Sequence, residues 1–394
     1  MSTPLRTLND LNVVGRTVFV RVDFNVPLDG DKVTDDTRIR AALPTIQNIQ
    51  ERGGRVVLAS HLGRPKGKKK SEFSLEPAAA RLAEILRTEV LLADDCIGDG
   101  ARKVVTDLRE GQVAMLENLR FHPEEEADDE LFARELGKLC DVYVNDAFGC
   151  SHRAHASVHA LAKLMPQRAA GLLVQKEVAA LEKLRGNPEK PYVAVLGGAK
   201  VSDKIEVIEV LMGLVDELLI GGAMANTFLA AQGLDVGKSR VEEDKLALAR
   251  TLLIKARERN IQLLLPVDVL VADSLKATKG NATDVNAIGA SEMALDIGPR
   301  TVKAYGERLR RAKSVFWNGP MGLFENPAFA EGSFGVARAM ADCTGFTVVG
   351  GGDSVAAVQV AGLTERYTHV STGGGASLEL LEGKKLPGVE VLRS

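Results

Sequence analysis

The stretch VFVRVDFNV, residues 18–26, decides the class of fold, because a valine-rich apolar run passes directly into polar residues. Such a run is typical of a buried strand that ends in a loop. Comparable runs recur in the first half of the chain, at 55–60, 112–117 and 141–146. Each is followed by polar or glycine-bearing residues, so we predict a strand at each position.

Helical patterns fill the gaps between these runs. Apolar residues recur at helical spacing over residues 75–86, where Ser74 is a candidate N-cap. Residues 41–50 have a similar pattern, although Pro44 lies inside it and predicts a kink or a displaced helix start. Strands that alternate with helices imply right-handed crossovers and a parallel sheet.

The same alternation restarts after residues 188–191. The second series of predicted strands lies at 192–197, 217–222, 261–265, 314–317, 346–350 and 368–371. A helix is expected over 203–215. We therefore predict an α/β protein with two doubly wound parallel-sheet domains, Rossmann-like, joined by a helical hinge. The predicted limits are 1–170, a connecting helix over 171–185, and 186–377.

A length of 394 residues also favours two domains, because one hydrophobic core rarely grows beyond roughly 250–300 residues. The net charge of −3 gives no support to a nucleic-acid or membrane partner, and we expect neither. The lysine-rich run 66–70 is interpreted as a solvated loop, since it lacks aromatic stacking partners. Four scattered cysteines without a CxxC pair, and residues 1–10 without a signal-peptide core, favour the cytoplasm.

In doubly wound sheets, ligands bind beyond the carboxyl ends of the strands. The loops at these positions in the first half carry a concentration of basic side chains: Arg38, His61, Arg64, Arg120, His152 and Arg153. Several converging guanidinium groups can hold a small molecule that bears phosphate and carboxylate. Asp23 and Asn25, after the first strand, could hydrogen-bond a substrate hydroxyl or form an Asx turn. The first half therefore predicts an anion site.

The second half offers glycine-rich loops, which are typical of a nucleotide site. GGAKVSDK at 197–204 supplies Lys200 and Lys204, and the helix that follows would direct its positive end at a phosphate. The alternative is a tight turn with surface lysines. GGGDS at 350–354 places Asp353 at the start of a predicted helix, where the carboxylate suits nucleotide-bound Mg²⁺ or a helix N-cap.

Three other motifs are weaker. Residues 233–239 do not form a phosphate-binding P-loop, because only three residues separate Gly233 from Gly237. GGGDS lacks the third glycine of a dinucleotide fingerprint, since Val355 stands in its place, and this weighs against hydride transfer. A helical spacing suited to zinc is shared by His152, His155 and His159. No HExxH motif accompanies these histidines, so we do not predict a metal there.

Nine motifs, in order along the chain, closely resemble those of the phosphoglycerate kinases. They are RVDFNVP at 21–27, DDTRI at 35–39, SHLGRP at 60–65, ENLRF at 117–121, SHRAHAS at 151–157, LGGAKVSDK at 196–204, WNGPMGLFE at 317–325, GGGDS at 350–354 and STGGGAS at 371–377. The resemblance covers essentially the whole chain, so it is far more specific than any single glycine loop.

The resemblance implies a set of residues around 3-phosphoglycerate: Asp23, Asn25, Arg38, His61, Leu62, Gly63, Arg64, Arg120, His152 and Arg153. On the nucleotide side it implies Lys204, Asn318, Pro320, Gly322, Leu323, Glu325, Gly351, Gly352, Asp353 and Ser354. Asp353 is the implied magnesium ligand, and Glu325 the implied ribose ligand. The implied groups at the transferred phosphoryl are Arg38, Lys200, Gly373 and Gly374. Ser354 and Ala294 are mild departures, where many members have threonine and some have glycine.

The implied reaction is reversible transfer from 1,3-bisphosphoglycerate to MgADP, giving 3-phosphoglycerate and MgATP in glycolysis and gluconeogenesis. Mg²⁺ is the implied cofactor, hinge closure between domains accompanies transfer, and a monomer is expected. Residues 378–394 are expected to pack back onto the first domain. Two alternatives stay open: a kinase for another small phosphorylated acid, and a non-catalytic nucleotide-binding module. Lys200, Lys204 and Asp353 weigh against the second alternative.

Overall fold

The structure, a computed structural model, describes residues 3–393 and divides them into two compact units. Unit 1 contains the chain up to Ala179 and again from Lys385, and unit 2 runs from Ala180 to Lys384. The division falls within the helix Leu172–Gly186, at the position of the predicted connecting helix.

Unit 1 alternates strands and helices. Its strands are β1 (Thr17–Arg21), β2 (Leu28–Asp29), β3 (Lys32–Val33), β4 (Arg55–Ala59), β5 (Val90–Leu92), β6 (Val113–Met115), β7 (Val142–Asn145) and β8 (Arg168–Ala170). Its helices are α1 (Thr37–Glu51), α2 (Glu76–Leu86), α3 (Gly98–Thr106), α4 (Pro123–Glu126), α5 (Glu130–Gly137) and α6 (Ala160–Leu164). The helix α7 (Leu172–Gly186) then leads into unit 2.

Six strands of the described part of unit 1 form a parallel sheet in the order β5-β6-β4-β1-β7-β8. Val18 of β1 pairs with Val56 of β4 on one side and with Val142 of β7 on the other. All residues of β1 are buried, as expected for a central strand covered on both faces. The strand order reverses between β1 and β7, so the loops after these strands flank the expected ligand crevice.

The structure refines two predicted bounds in unit 1. β1 ends at Arg21, because its partners β4 and β7 end at the same level, and residues 22–26 form a loop. α1 begins at Thr37, earlier than predicted, where the Thr37 amide donates to Asp35 Oδ1 at 2.9 Å. The helix start is therefore displaced from the predicted residue 41, and Pro44 lies inside α1.

Unit 2 repeats the alternation. Its strands are β9 (Tyr192–Leu196), β10 (Glu217–Ile220), β11 (Gln262–Leu264), β12 (Asp268–Ala272), β13 (Asn281–Asp284), β14 (Met293–Ile297), β15 (Ser314–Asn318), β16 (Phe346–Gly350) and β17 (His369–Val370). Its helices are α8 (Ile205–Leu211), α9 (Gly222–Ala231), α10 (Leu246–Glu258), α11 (Pro299–Arg311), α12 (Glu331–Ala341), α13 (Gly352–Val360) and α14 (Gly375–Leu381).

The main sheet of unit 2 is also parallel, in the order β11-β10-β9-β15-β16-β17. Counted along the chain this order is 3-2-1-4-5-6, which is that of dinucleotide-binding folds, with its reversal between β9 and β15. A second sheet, β13-β12-β14, is antiparallel. This sheet was not predicted from the sequence, because β13 is short and polar and carries little strand signal.

Two helix starts differ slightly from the predictions. In α2, Leu75 is the N-cap residue, while the Glu76 amide donates to Ser74 Oγ at 3.2 Å. α8 begins at Ile205, because Ser202–Lys204 forms a 3₁₀ turn instead of the first turn of an α helix.

The chain returns to unit 1 at its carboxyl end and forms α15 (Pro387–Glu390) there. The Gly388 carbonyl accepts a 3.0 Å hydrogen bond from Asn145 Nδ2, at the end of β7. Residues 378–384 of the segment predicted to pack back belong to unit 2, and Ser394 lies outside the described residues.

The predicted fold class is confirmed, since the chain is α/β with a parallel sheet in each unit. A hinge role for α7 stays a prediction. Within residues 3–393, no helix combines the length and the apolar character needed to cross a lipid bilayer.

Candidate active site

The loop after β1 meets the start of α1 through an ion pair. Asp23 Oδ2 accepts a 3.0 Å hydrogen bond from Arg38 Nη1, and the same nitrogen donates to the Asn25 carbonyl at 3.2 Å. Asn25 Oδ1 accepts from the Gly63 amide at 2.9 Å, in the loop after β4. The Arg38 side chain is 37% exposed against 13% for Asp23, so its guanidinium reaches solvent from a fixed position. These four predicted residues therefore converge at the carboxyl ends of β1 and β4.

A buried arginine that the sequence analysis did not single out lies beneath this loop. Arg21, the last residue of β1, is 1% exposed. Its Nε donates to Ser157 Oγ at 2.8 Å, and its Nη2 lies 3.3 Å from His61 Nδ1. Glu125 accepts from Ser157 Oγ at 2.6 Å and lies 4.0 Å from Arg21 Nη2. A charged residue inside an apolar strand was the sequence signal for this arginine. Its partners could not be predicted, because they lie far along the chain.

His61 is buried among these basic groups. Burial, together with the charges of Arg21, Arg120 and Arg38, lowers its pKa well below the ordinary 6.5. The imidazole is therefore neutral near pH 7. His61 was predicted from the sequence to be one of the cations of the anion site, and that part of the prediction is wrong, because burial and the surrounding arginines disfavour a charged imidazole.

Arg120 and the pair His152–Arg153 lie in the loops after β6 and β7. Arg120 is 5% exposed, and its Nη1 donates to the Gly63 carbonyl at 2.9 Å. Its Nε lies 3.2 Å from Glu126 Oε1. Arg153 is exposed, and its Nε donates to His152 Nε2 at 3.1 Å. One guanidinium is thus fixed in the wall of the site and the other extends into solvent.

Leu62 and Arg64 flank Gly63 in the loop after β4. Leu62 is buried, and its carbonyl accepts from Asn118 Nδ2 at 2.8 Å. The Arg64 side chain is exposed. The backbone of this loop is therefore anchored, while its arginine adds positive charge at the same edge of the sheet.

The three histidines with zinc-like spacing do not share a helical face. Residues 151–159 form turns, and α6 starts only at Ala160. His159 Nδ1 lies 2.6 Å from Asp128 Oδ2. His155 is buried, and burial with the charges of neighbouring arginines lowers its pKa to about 4. These histidines therefore lie in different surroundings along a run of turns.

In unit 2, the loops after β9 and β15 approach each other backbone to backbone. The Gly197 amide donates to the Asn318 carbonyl at 3.0 Å, and the Gly198 amide donates to the Pro320 carbonyl at 2.9 Å. A Cβ atom at Gly197 would lie 2.0 Å from the Pro320 oxygen, so only glycine permits this approach. Gly319 has a φ of +91°, which also favours glycine. The crevice at the strand-order reversal is therefore lined by main chain.

Lys204 reaches this crevice from the N-cap of α8. Its Nζ donates to the Asn318 carbonyl at 2.9 Å and also to Asn318 Oδ1. Asn318 Nδ2 donates to the Gly350 carbonyl at 2.9 Å and so joins the loop after β16. Burial lowers the pKa of Lys204 to about 8, although Asp353 and Asp203 act to raise it. Lys204 is thus a partly buried cation that can titrate near pH 8.

A distant glutamate holds the turn that follows Lys200. Glu242 Oε2 accepts from the amides of Val201 and Ser202, the latter at 3.2 Å, and Glu242 Oε1 accepts from Ser202 Oγ. Lys200 itself is exposed. Glu242 was missed in the sequence because 41 residues separate it from Val201. It positions the turn that carries the predicted phosphate-binding lysines.

A cleft of about 490 Å³ opens beside these loops. Its volume suits a nucleotide, since ligand pockets usually enclose about 300–1,000 Å³. The predicted residues that line it are Pro320, Gly322, Leu323, Glu325 and Asp353. Ala294, noted as a departure from the resemblance, lines it as well.

Other lining residues were not predicted from the sequence. Lys238 belongs to the segment that was excluded as a P-loop, Arg240 directly follows that segment, and both line the cleft. Residues 233–242 are turns and irregular backbone, not the strand-to-helix loop of a P-loop. Basic side chains close to a glycine were the sequence signal from which a contact with an anionic ligand could have been predicted.

Asp353 opens α13 in the loop after β16. Gly351 precedes the helix with a φ of +93°, and α13 begins at Gly352. The exposed Asp353 carboxylate lines the cleft and fits Mg²⁺, which takes one or two carboxylates beside nucleotide phosphates. Ser354 is buried, and its Oγ donates to a carbonyl at the end of β16 at 2.6 Å and accepts from the Gly319 amide at 3.1 Å. The Ser354 hydroxyl therefore joins two loops.

The loop after β17 carries the two predicted backbone groups. The Gly373 amide donates to Ser371 Oγ at 3.1 Å, so it has an acceptor within its own loop. Gly374, with a φ of +48°, is the N-cap of α14. Gly374 therefore stands at the positive end of a helix dipole.

Comparisons with known proteins agree with this geometry. The family model described as phosphoglycerate kinase matches residues 8–384. The chain is 59% identical over 392 residues to the phosphoglycerate kinase of Anaeromyxobacter sp. (strain Fw109-5), covering 98% of this chain and 99% of that protein. It is 55% identical over 387 residues to that of Moorella thermoacetica, covering 98% of each.

Solved structures give the same result. The phosphoglycerate kinase of Coxiella burnetii superposes with a TM-score of 0.89 at 42% identity, covering 99% of each chain. That of Pyrococcus horikoshii OT3 superposes with a TM-score of 0.85 at 36% identity, covering 98% of each chain. The resemblance seen in the nine motifs is thus confirmed over the whole fold. This chain belongs to the phosphoglycerate kinase family.

Proposed function

We propose that this kinase transfers a phosphoryl group reversibly from 1,3-bisphosphoglycerate to MgADP, giving 3-phosphoglycerate and MgATP. The observation that carries the proposal is the set of arginines at the carboxyl edge of the unit 1 sheet, where Arg38 is fixed by Asp23 and Arg120 by Gly63. A small molecule with a phosphate and a carboxylate matches such a set, because guanidinium groups bind both through paired, charge-assisted hydrogen bonds.

The unit 1 residues proposed to bind the sugar acid, here called the acid side, include both charged and neutral groups. Arg64 and Arg153, both exposed, would reach out to the phosphate of the sugar acid. His61 would offer a neutral N–H, because its pKa is lowered well below 6.5 by burial and the nearby arginines. Asp23 and Asn25 would hydrogen-bond the hydroxyl while they hold the loop in place.

The nucleotide side would lie in the unit 2 cleft. Lys204 would face the phosphates from the crevice between β9 and β15, and Asp353 would hold the Mg²⁺ bound to them. The bound Mg²⁺ supplies charge neutralisation on the phosphate oxygens. Leu323 and Glu325, also in the cleft wall, would contact the nucleoside and its ribose hydroxyls.

The chemistry needs no general base, since the attacking carboxylate or phosphate oxygen is already anionic. Catalysis would therefore rest on positioning and on stabilising the charge of the transferred group. We assign this role to Arg38 and Lys200. Arg38 is partly exposed in the first turn of α1 and is held by Asp23, and Lys200 is exposed on the loop whose following turn is anchored by Glu242. The amide end of α14 at Gly374 would add a positive dipole.

Because acid-side and nucleotide-side residues belong to different units, transfer would require the two ligands to be brought in line and shielded from water. We propose closure about α7. Small-angle scattering should show a smaller radius of gyration with 3-phosphoglycerate and MgATP together than with either alone. An unchanged radius with both ligands would count against closure.

A coupled assay tests the reaction itself. Turnover of 3-phosphoglycerate with MgATP would support the proposal. Binding of MgATP without turnover would support a nucleotide-binding module, and turnover only with another phosphorylated acid would support a different kinase. The variant Arg38→Ala should lose turnover, which separates this activity from a contaminant.

We also propose a monomer that works in the cytoplasm. All four cysteines are free thiols, and Cys96, Cys150 and Cys343 are buried, which suits a reducing compartment. Light scattering behind a sizing column should give the mass of one chain, 42.2 kDa.

A further inference from the structure

A second group of side chains with metal-ligand chemistry lies in unit 1, outside the proposed acid site. Asp95, Cys96 and His122 each present one ligand atom, and the three atoms lie within 4.8 Å of one another. Asp95 and Cys96 follow β5, and His122 is the N-cap of α4. Carboxylate, thiolate and imidazole are the three side-chain ligands that zinc takes most often.

The separation of the Asp95 and His122 ligand atoms is close to that of two ligands on a tetrahedral cation. His122 Nε2 lies 2.7 Å from Asp95 Oδ1, so these two atoms already face one another across a single proton. A tetrahedral Zn²⁺ separates such oxygen and nitrogen ligands by about 3.4 Å, given metal–ligand bonds of about 2.0–2.2 Å. A metal that replaced the proton would therefore need a movement of less than about 1 Å.

The orientation of the histidine is fixed from outside the group. Its ring stacks on that of Phe132, with 5.2 Å between the ring centroids. Asp95 Oδ1 also accepts from the Cys96 amide at 2.6 Å. Supporting contacts of this kind orient metal ligands in known sites. The Asp95 and His122 side chains are 42% and 25% exposed, which leaves a path for the ion and room for a water as fourth ligand.

The electrostatic surroundings distinguish this group from a similar one in the acid site. Asp23, His61 and Cys150 also lie within 4.8 Å of one another. That second group faces Arg21, which lies 3.3 Å from His61, and a cation there would be repelled. Around Cys96, burial and then the charges of Asp95 and Glu125 raise the pKa of the thiol well above the ordinary value, so a metal has to displace the thiol proton. The negative charge that favours a cation in this group is the Asp95 carboxylate itself.

We propose that Asp95, Cys96 and His122 form a binding site for one thiophilic divalent cation of the zinc class. On binding, the S–H bond of Cys96 breaks, its proton passes to solvent, and a metal–sulfur bond forms. The proton between Asp95 and His122 leaves Nε2 as well, passing to solvent from an imidazolium or to Nδ1 of a neutral ring, so that Nε2 and Oδ1 both bind the ion. Fully hydrated Mg²⁺, which prefers oxygen ligands, is not expected to occupy this site.

The site would also stiffen the acid side. His122 directly follows the 3₁₀ turn Leu119–Phe121, which contains Arg120, and precedes α4, which contains Glu126. Arg120 Nε and Glu126 Oε1 lie 3.2 Å apart. A metal held by His122 would therefore restrain the segment between Arg120 and Glu126. Binding should raise the thermal midpoint of the full chain, because a ligand that binds only the folded state stabilises it.

Cobalt titration of the full chain tests the proposal. The protein is stripped of metal with a chelator, freed of nucleotide, and titrated with Co²⁺. We expect one ion per chain, a thiolate-to-cobalt charge-transfer band, and loss of that band on addition of Zn²⁺. His122→Gln, a partly exposed position, should weaken Co²⁺ binding by about a hundredfold or more, beyond the 10–100-fold typical for loss of an outer-shell partner.

Matched cysteine variants locate the ion. Cys96→Ser should abolish the charge-transfer band and the thermal shift, while Cys140→Ser and Cys150→Ser should keep both. A band that persists in Cys96→Ser but disappears in Cys150→Ser would overturn the proposal in favour of the group in the acid site. If Cys96→Ser fails to fold, His122→Gln and Asp95→Asn decide alone, and undiminished binding in both would overturn the proposal. Absence of the thiolate-to-cobalt charge-transfer band in the wild-type chain would also overturn the proposal.

Discussion

Arg21 Nη2 lies 3.3 Å from His61 Nδ1, and both side chains are buried. A guanidinium group only donates, so Nδ1 must be the acceptor and the ring proton must sit on Nε2. Arg21 thus selects one tautomer of a histidine whose pKa is lowered well below 6.5 by burial and by the arginines around it. His61 is thereby a neutral hydrogen-bond donor within a cationic site.

Replacing Arg21 with Met tests how much the acid site depends on this support. The change removes the donor to His61 and leaves Glu125 buried without its 4.0 Å partner. Loss of one member of a buried charged pair typically destabilises by about 3–5 kcal/mol. Urea unfolding should show a loss of that size, while Arg109→Met at an exposed position should change stability by no more than about 0.5 kcal/mol. Equal stability of the two variants would exclude a supporting role.

Arg38→Ala should lower kcat far more than it raises KM for the acid. A contact made mainly in the transition state affects rate more than substrate binding, and we expect a loss of about a hundredfold or more. Arg40→Ala is the matched control. Arg40 lies on the same helix, its side chain is exposed, and it forms an ion pair with Asp36. Initial-rate kinetics on both variants provide the measurement. An unchanged kcat in Arg38→Ala would remove Arg38 from the proposed role.

Nucleotide affinity should fall as the pH rises past about 8. Burial lowers the pKa of Lys204 to about 8 in the free enzyme, so the cation that attracts the phosphates is present below that pH and lost above it. By linkage, the affinity for MgADP should decline toward a limit of about tenfold per pH unit. Calorimetric titration between pH 7.5 and 9.5 avoids the phosphate ionisation of ADP. A dissociation constant that stays flat to pH 9.5 would contradict the shifted pKa.

Glu242→Gln should weaken nucleotide binding, although Glu242 is not among the residues proposed to contact the nucleotide. The carboxylate of Glu242 accepts from the amides of Val201 and Ser202 and from Ser202 Oγ. Charge-assisted hydrogen bonds are roughly twice as strong as neutral ones, so the turn between Lys200 and Lys204 should loosen. We expect a severalfold to tenfold higher KM for nucleotide and an unchanged KM for 3-phosphoglycerate. Glu243→Gln, the adjacent exposed residue, is the control; matching effects in both variants would contradict the assignment.

Acid should destabilise the wild-type chain more than His155→Gln. Burial and the neighbouring arginines lower the pKa of His155 to about 4, below its ordinary 6.5. Between these values the unfolded chain binds a proton that the folded chain does not, so the free energy of unfolding falls as the pH drops. At pH 5 this linkage costs about 2 kcal/mol relative to pH 7.5. Urea unfolding at the two pH values checks it, and identical pH dependence of the two proteins would refute it.

The carboxyl-edge location of the site followed from the sequence because it depends on local patterns. The run 18–26 predicted a buried strand followed by a polar loop, and the glycines of 197–204 and 350–354 predicted tight turns into helices. Parallel pairing then brings all these loops to one edge of each sheet. This is why Asp23 and Arg38 could be named before their hydrogen bond was known, whereas Gly63 was implied by the family resemblance.

The missed features share a different origin. Arg21 is supported by Ser157 and Glu125, and the Lys200 turn by Glu242, all through contacts between distant segments. The β13-β12-β14 sheet likewise depends on pairing partners more than on the composition of its short strands. No local period or turn signal encodes such pairs.

By itself, the sequence determined the alternation of strands and helices, the loops that face the ligands, and the family. Only the tertiary structure decided which of the basic groups are charged, since the pKa values of His61 and Lys204 are set by burial and by charges that other segments bring near. Periodicity and turn chemistry depend on a few neighbouring residues, whereas desolvation and Coulomb interactions depend on all groups that the fold brings close together, however far apart they are in the sequence.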